Sequence, residues 1–514
     1  MRRWIVVTCA VLASAAGVVA LEPAASPRAI ADSVRDYRRA HEAAIVSELT
    51  ALLALPNIAA ETADMHRNAA LLKAMLERRG VSVRFLDVKD RGPIIIGSLP
   101  APGATRTLVF YAHYDGQPVD PAAWSGTKPF EPALRTASIA AGGQLRPFPA
   151  AGTPYEDDWR IYARSSSDDK SPIVALLAAI DALADRRIGR AVNLTIVLDS
   201  EEEAGSPGLA RLIPGQAALV AGDVLITGDG PVHATGRPLV FFGNRGIMEF
   251  QLTVYGPVRG LHSGHYGNWA PNPAMRLAQL LSSMKAPDGR VLVAGFYDDV
   301  VPLSERERAA IAAMPNVDAD LIRELQFGEP DGGGRTLADL IGEPSLNIRG
   351  LRSAYVGAES QNVVPQKAEA SIDVRLVKDV QPERQFERIV AHVEKQGYFV
   401  VRDREPTTEE RRAHARVARV DYGSGYPATR TSMDLPVSVA IVRAVGDAFG
   451  DVVQQPTLGG SAPMHLFSRL GMPVVGVPIV NYDNSQHAQD ENLRVGHFWH
   501  GIETYAVLLA GLSW

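Results

Sequence analysis

The chain of 514 residues has little cysteine and no concentrated positive charge. Its single cysteine, Cys9, lies in an N-terminal apolar run, so a disulfide framework is excluded. Any metal site must therefore draw on His, Asp and Glu. The net charge of −6 comes without clustered Lys or Arg, which argues against nucleic acid or an anionic membrane as the main partner. Long apolar runs are missing beyond residues 5–20, and that run is shorter than the roughly 20 residues needed to cross a bilayer, so no stable membrane span is expected. No internal repeat is present.

Residues 1–20 open with Met1-Arg2-Arg3, continue with the apolar run and end in Val18-Val19-Ala20. This is the pattern of a signal peptide, cleaved after Ala20, and makes the protein exported, periplasmic or secreted. Lipid modification of Cys9 is the alternative fate of that residue. A length of 514 residues is too great for one core and calls for at least two domains.

Residues 21–35 read as a loose lead-in, with helices over 36–55 and 67–79 and Gly80 as the stop of the second. Strands are expected at 81–88, 93–99 and 107–111. The last is apolar and ends in His113-Tyr114-Asp115. Alternation along an extended chain points His113 and Asp115 the same way, an arrangement that suits a metal-ligating imidazole steadied by a carboxylate. Residues 118–155, rich in Pro, Gly and Ala, form a long connection, read either as a lid or as a disordered insertion.

Ser171 as N-cap and Pro172 at the first helical position place a helix over 173–183, with Asp168 in the loop before it. Strands at 193–198 and 224–227 run into Glu201-Glu202-Glu203 and Gly228-Asp229-Gly230. Alternating strands and helices imply a largely parallel sheet, whose ligand site lies beyond the strands' carboxyl ends. His113, Asp168, Glu202, Glu203 and Asp229 all fall there. From about Arg245 the texture changes to alternating strands at 248–255 and 368–377, helices at 272–281 and 382–396 and a strand at 399–404, with a looser region at 298–351. A helix at 434–449, a strand at 473–480, His487 and a helix at 498–512 restore the first texture. The division expected is a catalytic domain in two parts, 36–243 and 431–514, around an inserted domain at 244–430.

Each acidic site has an ordinary explanation alone: a solvated acidic turn at 201–203, acids at a helix N-terminus at 168–169, turn chemistry at Asp229 and a surface histidine at His487. Five at consecutive strand ends point instead to a pair of divalent cations bridged by a carboxylate, for which Asp168 is the natural bridge. The neighbouring Glu202 is free to act as general base.

The segments AHYDGQP (112–118), SSDDKSP (166–172), SEEEAGSPG (200–208), GDG (228–230), LHSGHYG (261–267) and HAQDEN (487–492) resemble, in order and spacing, the di-zinc metallopeptidases and amidohydrolases that include glutamate carboxypeptidase, aminoacylase and carnosinase-like dipeptidases. The resemblance runs from about residue 40 to the end. It implies an α/β catalytic domain with a mostly parallel sheet flanked by helices, plus an inserted α+β lid or dimerisation domain with an antiparallel sheet. It implies that His113, Asp168 and Asp229 hold one metal ion and Asp168, Glu203 and His487 the other, with zinc foremost and manganese or cobalt as alternatives. Asp115 then supports His113, Glu202 is the base, and His262 polarises the scissile carbonyl, in dimeric members from the partner subunit. Asn362 and Arg375 match positions that bind the substrate's carboxylate, and Gly459, Gly460 and Ser461 a loop whose backbone meets the substrate. Where the family has glycines around the bridging aspartate, this chain has Ala163, Ser165 and Ser171.

The expected activity is metal-dependent hydrolysis of dipeptides or short peptides with a free C-terminal carboxylate, by a water activated at the di-zinc centre and by Glu202. The alternative is an N-acyl-amino-acid amidohydrolase with the same machinery; the remaining one is a non-catalytic binding protein on the same fold. A homodimer through the inserted domain is the expected assembly.

Overall fold

The computed structural model describes residues 26–514. The signal-peptide reading of 1–20 and the fate of Cys9 lie outside them.

An eight-stranded mixed sheet forms the base. In spatial order its strands are Ser82–Leu86, Ile94–Leu99, Asn193–Asp199, Thr107–His113, Val224–Thr227, Val474–Gly476, Leu239–Phe241 and Val453–Gln455. The four central strands, from Asn193–Asp199 to Val474–Gly476, are mutually parallel, and the first two are antiparallel to their neighbours. Thr107–His113 is buried along both faces, which explains its unbroken apolar run. Leu108, Phe110 and Ala112 enter one core, and Val109 and Tyr111 enter the other. Helices Pro27–Leu53, Lys170–Asp185, Pro436–Phe449 and Val495–Gly511 supply the first core, and Pro207–Gln216 the second.

A five-stranded sheet has its own core, built with helices Pro273–Met284 and Pro382–Lys395. Its order is Ser345–Arg352, Lys367–Leu376, Gly246–Tyr255, Val417–Tyr426 and Phe399–Val401. All its pairs are antiparallel except the last. The α/β class, the mostly parallel main sheet and the antiparallel second sheet agree with the expectation; besides the central four strands, the edge pair Leu239–Phe241 and Val453–Gln455 is also parallel.

Several local readings are corrected. The first helix begins at Pro27, inside the supposed lead-in, because Ser26 caps it by accepting the Ala29 N–H and Pro27 takes the first position. The second begins at Thr62. Ser171 is no N-cap: the helix starts at Lys170 with Asp169 in the cap position, so Ser171 and Pro172 sit in its first turn. The 118–155 connection is not a disordered insertion. Ala133–Arg135 and Leu145–Arg146 join Arg160–Tyr162 and Asn492–Arg494 in a small antiparallel sheet. The looser region at 298–351 contains the short helices Glu305–Ala313, Asp318–Leu325 and Leu337–Ile341 and the edge strand Ser345–Arg352.

Candidate metal centre

His113 ends its strand at the carboxyl edge of the parallel centre. Its Nε2 lies 2.8 Å from Asp168 Oδ1 and its Nδ1 3.3 Å from Asp115 Oδ1. Asp115 also accepts the backbone N–H groups of Glu202 and Glu203, both at 3.1 Å. Asp115 stands beside the His113 ring, as the alternation argument expected, and the same buried carboxylate ties the His113 strand to the acidic turn.

Ligand atoms of His113, Asp168 and Asp229 lie within 4.8 Å of one another, and so do those of Asp168, Glu203 and His487. His487 Nε2 sits 3.1 Å from Asp168 Oδ2 and 3.2 Å from Glu203 Oε2. The two groups share Asp168, the residue singled out as the bridge. Three carboxylates and two imidazoles are the donors that a pair of borderline divalent cations takes.

The electrostatics agree with that fit. Burial and then the Asp168 carboxylate push Asp229 up to about 6 and Glu203 up to about 7. Burial, with Asp229, Glu203 and Asp168 adding to it, raises Glu202 well above the carboxylate range. His487 is raised to about 9, chiefly by its hydrogen bond to Asp168. The nearby Lys170, buried and lowered to about 7 by burial, turns its ammonium to the carbonyls of Leu52 and Leu55 instead of the carboxylates. The negative charge gathered here is one that cations would offset.

Sequence reasoning missed the groups that shape the bridging loop. The buried Glu491 accepts the N–H groups of Ser165, Ser167 and Asp168 at 2.9, 2.9 and 3.0 Å and pairs with Arg164 Nη1 at 2.7 Å. Ser165 stands at φ +61°, in the left-handed region that a family glycine would occupy, and Glu491 pins that turn. Gln117 donates to Glu203 and Gln486 to Asp168, at 2.7 and 2.9 Å. Glu491 belongs to the HAQDEN segment, which was its one signal.

A cavity of about 1170 Å³ opens over the cluster, between the main sheet and the second sheet. Asp168, Glu202, Glu203, Asp229 and His487 line it, as do Arg375, Gly459, Gly460 and Ser461. Arg375 Nη1 donates to Ser461 Oγ at 2.7 Å. No residue of 118–155 lines it. His262 and Asn362 do not line it either: both are exposed and meet on a two-stranded ladder, where the Ser263 N–H donates to the Asn362 carbonyl at 3.0 Å. Asn362, expected with Arg375 at the substrate's carboxylate, does not line this protomer's cavity.

Residues 109–511 match Peptidase family M20/M25/M40, and the chain belongs to that family of enzymes. The motif resemblance is thereby borne out, and the non-catalytic reading is set aside. The chain is 26% identical over 456 residues to the Cys-Gly metallodipeptidase dug1 of Schizosaccharomyces pombe, covering 86% of this chain and 88% of the other. It is 25% identical over 509 residues to the Beta-Ala-His dipeptidase of Homo sapiens, covering 95% and 94%. Among solved structures, the M20 family metallo-carboxypeptidase Sso-CP2 from Sulfolobus solfataricus is similar with a TM-score of 0.74 and 28% identity, covering 91% of this chain and 98% of that one. Among the described residues no helix is long and apolar enough to cross a membrane.

Proposed function

We propose that the protein is an exported dipeptidase that uses two divalent cations, zinc foremost, and Glu202 as general base on short peptides with a free C-terminal carboxylate. The observation that carries this reading is the convergence of five ligand side chains into two groups sharing Asp168, with Glu202 beside them on the same cavity.

His113, Asp168 and Asp229 would hold one cation, and Asp168, Glu203 and His487 the other. Cations held there would supply the positive charge that acidifies a water and polarises the scissile carbonyl. Glu202 removes the proton of the attacking water and returns it to the leaving amine. Asp115 fixes the His113 ring and the backbone under Glu202. Arg375, with Ser461 and the Gly459-Gly460 backbone, grips the substrate carboxylate with its fork. His262 and Asn362 belong to a homodimer through the inserted sheet, where the pair reaches the neighbouring protomer's cavity. The relatives named above are dipeptidases and a carboxypeptidase, which favours a peptide over an N-acyl amino acid.

The test is amine release by metal-replete protein from a panel of dipeptides and of N-acyl amino acids, with Glu202→Gln alongside. Dipeptides are expected to be cleaved, and the variant to lose about 10²–10⁴-fold in kcat or more while retaining metal. Cleavage of the N-acyl panel alone would transfer the case to the amidohydrolase reading. An undiminished Glu202→Gln would remove the base.

A further inference from the structure

Part of the cavity wall is built by the three short helices of the 298–351 region, which none of the steps above uses. Ile311, Met314, Val317, Leu321, Leu337 and Ile341 line it. All six are partly or largely exposed, so apolar surface is held open toward the cavity instead of being packed away. The two carboxylates on this wall are engaged in holding it together. Asp339 closes a capping box with Thr336, and Asp318 accepts the Leu337 N–H at 3.1 Å.

The wall is joined directly to the proposed carboxylate anchor. Helix Leu337–Ile341 runs into the edge strand, whose first residue, Ser345, lies opposite Arg375 in the register. Arg245 clamps this junction by donating to the Glu343 carbonyl and Ser345 Oγ at 2.7 and 2.9 Å. Ile341 packs on Gly459: a methyl group added there would meet Ile341 Cδ1 at 3.4 Å. On the other side, Met314 and Leu458 pack on the cluster of Leu239, Phe241 and Val453, and Leu458 Cδ2 would lie 3.1 Å from a methyl group on Gly230, next to Asp229. Apolar surface therefore begins beside both the anchor and the metal ligands.

We propose that these three helices form an apolar subsite for a bulky side chain on the C-terminal residue of the substrate, so that the enzyme favours dipeptides ending in residues such as Leu or Phe. Arg375 donates to Ser461 Oγ at 2.7 Å, two residues from Gly459, so a substrate carboxylate gripped by Arg375 would bring its own side chain toward Gly459, where Ile341 packs. The proposal rests on the dipeptidase reading.

The experiment measures kcat/KM for Ala-Gly, Ala-Leu, Ala-Phe, Ala-Arg and Leu-Gly on metal-replete protein. Ala-Leu and Ala-Phe are expected to exceed Ala-Gly by about tenfold or more, the discrimination that an apolar pocket gives per few methylenes. Leu-Gly should gain nothing over Ala-Gly. Leu337→Asp, at a position 45% exposed and so tolerant of a polar side chain, and Ile341→Asp should collapse the Ala-Leu to Ala-Gly ratio toward one, mainly through KM. A wild-type ratio near one, a preference for Ala-Arg, or a ratio that survives both substitutions overturns the subsite and leaves the peptidase reading standing. If no dipeptide is hydrolysed, the peptidase reading fails by itself. The subsite is then judged by calorimetric binding of Ala-Leu against Ala-Gly to the metal-loaded protein, where equal affinity overturns it and tighter Ala-Leu supports it.

Discussion

Glu491 and Asp168 stand 323 residues apart in the chain, yet the Glu491 carboxylate accepts the Asp168 N–H at 3.0 Å in the interior. The same carboxylate holds Arg164 and two further N–H groups of the loop. Glu491→Gln would turn an amide toward these donors and leave Arg164 buried without its counter-charge. The expected cost is about 3–5 kcal/mol of stability, the range for breaking a buried pair. Denaturant unfolding checks this, and metal content by elemental analysis should fall with it. Wild-type stability and metal content would show that the loop holds its shape without Glu491.

In the proposed metal site, Asp115 would act on metal binding through other residues. It sits 3.3 Å from His113 Nδ1 and carries the N–H groups of Glu202 and Glu203. Asp115→Ala should weaken metal affinity by about 10–100-fold, the usual effect of losing a group that orients a ligand. Competition with a chromogenic chelator reads the affinity directly. An unchanged affinity would show that His113 is oriented by the strand alone.

His262 is exposed and faces no part of its own protomer's cavity. If it serves a partner's cavity, His262→Ala and Glu202→Ala should each be inactive alone and complement each other when mixed. Random 1:1 pairing leaves roughly a quarter of sites with both residues intact. Recovery of about that fraction of wild-type activity after mixing and exchange is the expected result. No recovery, with exchange verified by mass, would place the histidine outside the reaction.

His465 gives the fold a pH dependence. Its ring stacks on Tyr426 at 4.9 Å and 10°, with Arg469 nearby, and burial first, then Arg469, push its pKa down to about 4 from the usual 6.5. A base with a lowered folded pKa stabilises the fold fully above pH 6.5, and that stability is lost as the pH falls toward about 4. Its share is about 3 kcal/mol at most. His497 and His500, lowered to about 4 by burial, act in the same sense. Thermal unfolding from pH 7.5 to 4 should show the decline, and His465→Phe should flatten part of it. A variant with the wild-type slope would locate the acid sensitivity elsewhere.

Much of the fold was legible because the main strands are apolar on both faces and end in short polar motifs. Thr107–His113 and Val224–Thr227 could be placed from pattern alone, and the ligands attached to their ends came with them. The failures have two causes. The small sheet that takes in Asn492–Arg494, and the Val417–Tyr426 strand, paired to Gly246–Tyr255, depend on partners far away in the chain, to which local periodicity is blind, whereas the start of Pro27–Leu53 was a local Ser-Pro cap passed over. Ser171 looked like a cap because Ser-Pro is a common helix start, but the loop carrying Asp168 is held from outside by Glu491, and the helix begins two residues before Pro172.

The sequence by itself singled out the candidate donors: His113, Asp168, Glu203, Asp229 and His487, each at the end of a buried strand or in its following loop, with no cysteine among the motifs to compete. Only the tertiary structure decided that these five meet within 4.8 Å around Asp168, that Arg375 joins them while His262 and Asn362 do not, and that three short helices raise an apolar wall beside the anchor. The physical reason is range. Alternation and capping act over a few residues, whereas which strand ends become neighbours follows from packing two cores at once, through contacts spanning hundreds of residues.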